Sequence, residues 1–531
     1  MDFSWSLGTI VYHIYVRSFQ DTNDDGIGDL EGVMSRLDYL SSLGINALWL
    51  SPIYPSPQAD FGYDVANYTD IDPVYGSLET FDRFVHASHT RGIRVMMDFV
   101  PNHTSFKHAW FEQSRSSKDN PKRDWYIWRG KKSDGSLPNN WLSVFGGSAW
   151  EWDEETEEYY LHTFEKGQPD LNWRNPEVVS AMTGVLRFWM DRGVDGFRVD
   201  VPYHMFKHED LLDEPASPNF RPEVHGEYES LLHVHSAWLP ESFAMMGKFV
   251  EVLKEYEHKF MVSEAWGTLD DLLTLYKTVG WKYYAPFNFS FITLPWTADL
   301  HKQFIDVYDK ALGDIYFPCF VLGNHDKPRI VSRIGEKQAR IAAMASLTLR
   351  GIPFIYYGEE IGMSDTPLSP EQIQDPFEKL SPGLGLGRDP QRTPEQWDDS
   401  TNAGFTKAKP WLPVHSNYHS VNIEKEAEDK TSMYNLYLLL IKLRKHHIAL
   451  REGSYIPVDS PAENVFVFLR HHPDEKILIL LNFDNQDKNL SLPYEKAEIL
   501  ASASLSIDTG SKISLKDLTL SGNEGIICSL S

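Results

Sequence analysis

The sequence predicts an α/β fold: a (β/α)8 barrel of the TIM type, with an inserted subdomain after the third strand and a C-terminal antiparallel β-sandwich. Three observations carry this. Apolar runs of strand length alternate with helical patterns, which implies parallel pairing. Four segments that look like ends of buried strands carry carboxylate, arginine or histidine, and in such barrels chemistry sits at the strand C-terminal ends. Near the C-terminus the pattern changes to short alternating runs.

Strand-length runs fall at residues 9–16, 45–50, 93–98, 194–199, 260–263, 317–322 and 352–356. An eighth, at 283–289, is weaker in pattern. Apolar spacings of three and four predict helices over 30–43, 78–90, 176–192, 243–256 and 337–349, and Gly44, Gly92 and Gly193 sit where helix C-terminal glycines belong. No GxGxxG or GxxxxGK[ST] phosphate loop supports an open doubly wound sheet instead.

The barrel is expected to span 1–103 and 172–454, with an irregular, Pro- and Gly-rich excursion at about 364–418 on the face of the site. The segment 104–171 is too long for an ordinary loop and carries Trp110, Trp125, Trp128, Trp141, Trp150 and Trp152, so it reads as an inserted domain walling the site. The β-domain is expected at 455–531, from runs such as 465–469 and 477–482. No repeat of solenoid period and no low-complexity segment interrupts this plan.

Bulk chemistry narrows the partners. The 531 residues carry a formal charge of −26, which repels polyanions, so no nucleic-acid partner is expected. Two cysteines, Cys319 and Cys528, exclude a disulfide framework and a clustered-thiolate zinc site. The N-terminal stretch has no basic segment followed by an apolar run and a cleavage site, and no apolar run reaches the roughly 18 residues of a membrane helix. A cytoplasmic protein without a membrane partner is expected. Monomer and homodimer both remain open.

The four charged strand ends are DFVPNH at 98–103, GFRVD at 196–200, SEAW at 263–266 and GNHD at 323–326. A desolvated carboxylate must be paired or hydrogen-bonded to stay ionised, so four such ends in one chain point to one shared site. Within 197–200 a period of two places Arg198 and Asp200 on one face of the strand. An arginine beside Asp200 is expected to lower its pKa and keep it ionised as a nucleophile at an anomeric carbon. Glu264, ending the next strand, would be a nearby general acid. Two carboxyls about 5 Å apart imply a retaining glycosidase. Singly, each residue reads equally well as part of a rim ion-pair network; together they read as a site.

These segments, with QPDLNW at 168–173, occur in the order of the α-amylase family, glycoside hydrolase family 13, and the chain resembles its oligo-1,6-glucosidase and α-glucosidase branch over nearly its whole length. The resemblance implies Asp200 as nucleophile, Glu264 as acid/base and Asp326 as the third carboxylate gripping the distorted sugar. His103, Arg198 and His325 would hold the ring. DFGYD at 60–64 resembles the segment lining the terminal glucose subsite, with Tyr63 as stacking platform, and GRDPQRTPEQW at 387–397 resembles the motif whose second arginine, Arg392, pairs with Asp60. That pair would close the pocket behind a non-reducing glucose and imply exo cleavage of short substrates.

Linkage stays open. Val201 after the nucleophile resembles 1,6-cleaving relatives, whereas Phe61 stands where their pattern has asparagine, and Pro202 and Tyr203 depart from the branch. The run Asp21, Asn23, Asp25, Gly26 opens like an EF-hand loop, but Gly32 stands where the twelfth-position glutamate belongs. The same run resembles the family's calcium loop, which implies Asp21, Asn23, Asp25 and Asp29 side chains and the Ile27 carbonyl as ligands of a structural calcium, with magnesium as the alternative ion.

The expected function is therefore a retaining exo-α-glucosidase acting on a small oligosaccharide, with no organic cofactor. A glucosyl transferase, sucrose hydrolase or isomerase would use the same intermediate. A non-catalytic relative, like the amino-acid transporter heavy chains that share the barrel, is the alternative of another class; those carry a membrane helix and often lack intact carboxylates.

Overall fold

The computed structural model describes residues 8–280 and 282–530. The first seven residues of the predicted barrel segment, Trp281, and Ser531 of the predicted β-domain lie outside them.

Seven parallel strands form the central sheet in the order Phe354–Tyr356, Val11–Ile14, Ala47–Leu50, Arg94–Phe99, Gly196–Val199, Phe260–Ser263, Tyr284–Pro286. Their residues are almost all buried, as expected of strands covered on both faces. The predicted strengths of two strands are exchanged. Tyr284–Pro286, the weaker pattern, is a full ladder strand, whereas 317–322 pairs only through single parallel bridges, Asn288 with Phe320 and Val321 with Phe354. Those bridges join the sheet's two edge strands and complete the ring.

Helices return the chain between strands. Leu78–Thr90 is capped by the Ser77 hydroxyl, and Pro176–Asp191 by the Asn175 side chain with Pro176 in the first turn, where its missing N–H costs nothing. Leu269–Val279 opens with a Thr268–Asp271 capping box. The single helix predicted over 30–43 is two, Leu30–Ser35 and Leu37–Leu43, meeting at Arg36. Arg36 Nη2 reaches Gln20 Oε1 (2.6 Å) and its guanidinium lies over the Trp397 ring, so tertiary contacts fix the break. Gly44 ends the second helix at φ 97°, a left-handed conformation in which glycine has no Cβ to clash.

Between the Arg94–Phe99 and Gly196–Val199 strands stands a small antiparallel sheet, Trp128–Arg129, Glu158–Leu161 and Trp150–Asp153. Its apolar cluster includes Trp141, Trp150 and Leu161. At the C-terminal end, a six-stranded antiparallel sheet faces the pair Lys488–Leu490 and Leu518–Leu520. The period of two sorts the strand Val465–His472: Val465, Val467 and Leu469 pack into the sandwich, whereas Phe466 and Phe468 join the barrel's core.

Candidate active site

Arg198 sits on the barrel strand Gly196–Val199 and is buried beneath three carboxylates. Its Nη1 donates to Asp98 Oδ1 (2.8 Å) and Asp200 Oδ1 (2.6 Å), and its Nη2 donates to Glu264 Oε2. One guanidinium thus ties the ends of three adjacent parallel strands, with the Asp98–Arg198 register pair beside it. Such sharing is favourable only because every charge is hydrogen-bonded. The Trp266 indole donates to the second Glu264 oxygen.

Burial pushes the Asp200 carboxyl well above the usual aspartate range, against the pull of Arg198. The sequence expectation was the reverse. Arg198 divides its charge among three carboxylates, so at Asp200 desolvation outweighs the pairing. Asp98 is likewise raised by burial, to about 6, despite Arg198. For Asp326 burial also raises, but the Arg392 and Arg388 guanidinium groups overcome it and hold the carboxyl below the ordinary value.

Asp326 follows the bridging segment at 320–321 and meets His325 Nε2 (3.2 Å) and Arg392 Nη2 (2.8 Å). His325 Nε2 also lies 2.7 Å from the Tyr63 hydroxyl, and the two rings are parallel within 2° at 5.3 Å. Tyr63 donates onward to Asp98 Oδ2 (3.1 Å). Burial, then the nearby arginines, push His325 well below the usual histidine range, which keeps it neutral. His103 is lowered mainly by burial.

Asp60, Tyr63, His103, Asp200, Glu264, His325 and Asp326 all line one cavity of about 530 Å³. The fold therefore gathers the predicted carboxylates and pocket residues into a single place, with Arg198 beneath it. Val201, directly after Asp200, is held at φ 31°, a costly conformation for a β-branched residue that turns the chain away at once from the strand end.

The predicted Asp60–Arg392 pair is not formed. Asp60 Oδ1 accepts from Arg388 Nη2 at 2.6 Å, while Arg392 turns to Asp326 and donates through Nε to the His325 carbonyl (2.7 Å). The choice is set by Asp375, whose carboxylate also accepts from Arg388 Nη2 (2.6 Å) and from its backbone N–H (2.6 Å). Asp375 caps the short helix Pro376–Leu380 within the excursion, a placement local sequence does not reveal.

Sequence reasoning also missed Lys207. Its buried ammonium lies 3.0 Å from Asp170 Oδ2 and 3.4 Å from Asn102 Oδ1, and donates to the His204 carbonyl. Asp170 in turn accepts from Asn102 Nδ2 (3.1 Å), whose amide lies 3.2 Å from His103 Nδ1. Gln168 Nε2 reaches both His103 Nε2 and Asp60 Oδ2 (3.1 Å each). The QPDLNW motif carried two of these partners; a lone lysine after the fourth predicted strand carried no signal.

The five predicted metal donors are hard oxygen atoms, a set suited to calcium or magnesium. Asp21 Oδ1 accepts from the Asn23 and Asp24 N–H groups (3.0 Å each), and Oδ2 from Gly26 N–H (2.8 Å) and the Thr406 hydroxyl (2.5 Å). Asn23 and Asp25 accept from the Asp25 and Ile27 N–H groups, and Asp29 from Thr22. Among the described residues, no group of three or more His, Cys, Asp or Glu side chains is arranged to hold a metal ion. The donor atoms are of the kind a hard cation takes, while in this structure the loop's carboxylates are satisfied by N–H and hydroxyl groups.

Among the described residues, no helix is long and apolar enough to cross a membrane. Cys319 and Cys528 are both free and buried.

The family model described as "Alpha amylase, catalytic domain" matches residues 13–453. An alpha-glucosidase of Apis mellifera is 42% identical over 91% of this chain and 86% of its own length. An oligo-1,6-glucosidase of Heyndrickxia coagulans is 39% identical over 93% and 95%. A crystal structure of the alpha-glucosyl transfer enzyme XgtA superposes with a TM-score of 0.92 at 35% identity, over 99% of both chains. That of the trehalulose synthase MutB from Pseudomonas mesoacidophila MX-45 does so at 0.88 and 35%, again over 99% of both. With its barrel, its charged strand ends and a family match across most of its length, the chain belongs to the α-amylase family, glycoside hydrolase family 13.

Proposed function

We propose that this chain is a retaining, exo-acting α-glucosidase that releases terminal non-reducing glucose from short α-linked oligosaccharides of the maltose or isomaltose type. The observation that carries the reading is the Arg198 guanidinium shared by Asp200 and Glu264 at the foot of a pocket closed by Asp60 and Arg388. Shared pairing holds the two carboxyls on one guanidinium, which supports the double-displacement reading, whose carboxyls stand about 5 Å apart.

The ionised form of Asp200, which Arg198 favours against burial, attacks the anomeric carbon and forms a bond to it as the glycosidic C–O bond breaks and Glu264 gives its proton to the departing oxygen. Water then loses a proton to Glu264, attacks the same carbon and frees Asp200. Negative charge on Asp326, held by Arg392, favours the oxocarbenium-like transition state. His103 and His325, neutral through burial, serve as hydrogen-bond partners for sugar hydroxyls. Relatives named alpha-glucosidase and oligo-1,6-glucosidase support the substrate class and leave both linkages open.

Transfer to an alcohol instead of water is the second reading, favoured by the TM-score of 0.92 to an alpha-glucosyl transfer enzyme. The loop at 21–29 is read as a structural calcium or magnesium site from its oxygen donors. Two free, buried cysteines support a cytoplasmic location.

The test is the anomer first released from maltose and isomaltose, followed by proton NMR. α-Glucose before mutarotation, lost in Asp200→Asn, fits the reading; β-glucose first, or full activity in the variant, refutes it.

A further inference from the structure

A neutral imidazole carries a hydrogen on one nitrogen and a lone pair on the other. Burial keeps the His103 ring neutral. Two buried amides meet it through their nitrogens, Asn102 at Nδ1 (3.2 Å) and Gln168 at Nε2 (3.1 Å). An amide nitrogen only donates, so the ring satisfies one of them and not the other.

Asn102 is oriented from behind the ring. Its Oδ1 faces the Lys207 ammonium (3.4 Å), which only donates, and its Nδ2 donates to Asp170 Oδ1 (3.1 Å). Asp170 accepts as well from the Thr163 N–H (2.9 Å) and hydroxyl (2.5 Å). The second Nδ2 hydrogen of Asn102 is left for His103 Nδ1. Gln168 is fixed as firmly, with Oε1 accepting from the Glu165 N–H (2.9 Å) and Nε2 donating to Asp60 Oδ2 (3.1 Å).

The Tyr63 carbonyl decides between the two. It lies 3.1 Å from His103 Nε2 and only accepts. With the ring hydrogen on Nε2, Asn102 donates to Nδ1 and Nε2 donates to Tyr63, and the single mismatch is the contact with Gln168. With the hydrogen on Nδ1, Gln168 alone is satisfied, while Nδ1–H meets the Asn102 amide hydrogens and the Nε2 lone pair meets the Tyr63 carbonyl. One buried mismatch is cheaper than two. The Nε2 edge is also the one turned to the substrate: Tyr63 beside it and Asp60 beyond Gln168 line the cavity with His103, whereas Asn102, Asp170 and Lys207 stand behind the ring.

We propose that Asn102 is a positioning residue that holds His103 as its Nε2–H tautomer, so that the ring meets a glucosyl hydroxyl as a hydrogen-bond donor. Lys207 and Asp170 act one step further back, through Asn102. The place of the proton follows from the protein's own contacts; the donor role rests on the α-glucosidase reading.

The experiment is long-range proton–nitrogen-15 NMR of the histidine-labelled full chain at about pH 7, with the His103 signals identified by their loss in His103→Gln. The expected result is a proton on Nε2 and none on Nδ1. Asn102→Ala should give a mixture of both tautomers and lower kcat/KM for maltose and isomaltose by about tenfold. Gln168→Met, at an equally buried position, should leave the proton on Nε2, a contrast that general loosening of the site does not produce. A wild-type proton on Nδ1 or on both nitrogens overturns the inference and leaves the α-glucosidase reading standing, whether or not the variants fold. So does a lone Nε2–H tautomer in Asn102→Ala. A wild-type enzyme that hydrolyses neither disaccharide overturns the donor role together with that reading.

Discussion

Arg388 Nη2 stands 2.6 Å from Asp60 Oδ1, bringing together residues 328 positions apart to form the closed end of the pocket. Burial and the flanking carboxylates of Asp375 and Asp60 act in opposite senses on Arg388, and the carboxylates prevail, so the guanidinium stays charged. Arg388→Ala strands two buried carboxylates. It should cost about 3–5 kcal/mol in urea unfolding. It should also lower kcat/KM for maltose by about 10- to 100-fold, chiefly through KM. Wild-type behaviour would mean that this pair does not close the subsite.

Lys207 should matter through His103. Its ammonium is the cation paired with buried Asp170, which holds Asn102 against His103. Lys207→Met removes the charge while keeping much of the packing, and is expected to destabilise the fold by about 3 kcal/mol or more. Its kcat should fall alongside, because His103 loses its orientation. Unchanged urea unfolding would show that Asp170 needs no counter-charge.

Glu359 gives a pH signature. Buried after the last barrel strand, with neither carboxyl oxygen hydrogen-bonded, it is raised by burial from 4.5 to about 8. The folded state therefore keeps a proton that the unfolded chain releases. This contribution is complete below about pH 4.5 and is lost as pH rises through about 8, by about 1.4 kcal/mol per unit at most. Glu359→Gln should grow more stable relative to wild type between pH 5 and 8, as read by urea unfolding at each pH. A constant difference would contradict the assignment.

Chelation tests the loop at 21–29. If calcium or magnesium binds the folded loop, EDTA should lower Tm by several degrees, with restoration by added calcium or magnesium. In Asp25→Ala the response should vanish, while turnover at moderate temperature stays near wild type. A Tm indifferent to chelator and ion would remove the metal from the account.

Much of this was legible from residues alone, and the exceptions share a cause. Alternation placed Arg198 and Asp200 on one strand face, because that geometry is local. Asp200, Glu264 and Asp326 were found because charge at the end of an apolar run is costly unless shared. The break at Arg36 and the exchange of Arg392 for Arg388 depend on partners far along the chain, Trp397 and Asp375, to which no spacing rule points. The segment at 317–322 shows the same limit: Cys319 to Leu322 are buried as a strand's residues would be, but they pair through the single bridges of Phe320 and Val321 to Asn288 and Phe354, partners distant in sequence.

The central claim is that Asp200 forms the bond to glucose. A fluorinated α-glucosyl fluoride, which loads the enzyme quickly and leaves it slowly, tests this directly after peptic digestion and mass spectrometry. One fluoroglucosyl unit on the peptide containing Asp200 is the predicted result. Label on the Glu264 or Asp326 peptide, or none on an enzyme that turns over α-glucosides, would contradict it.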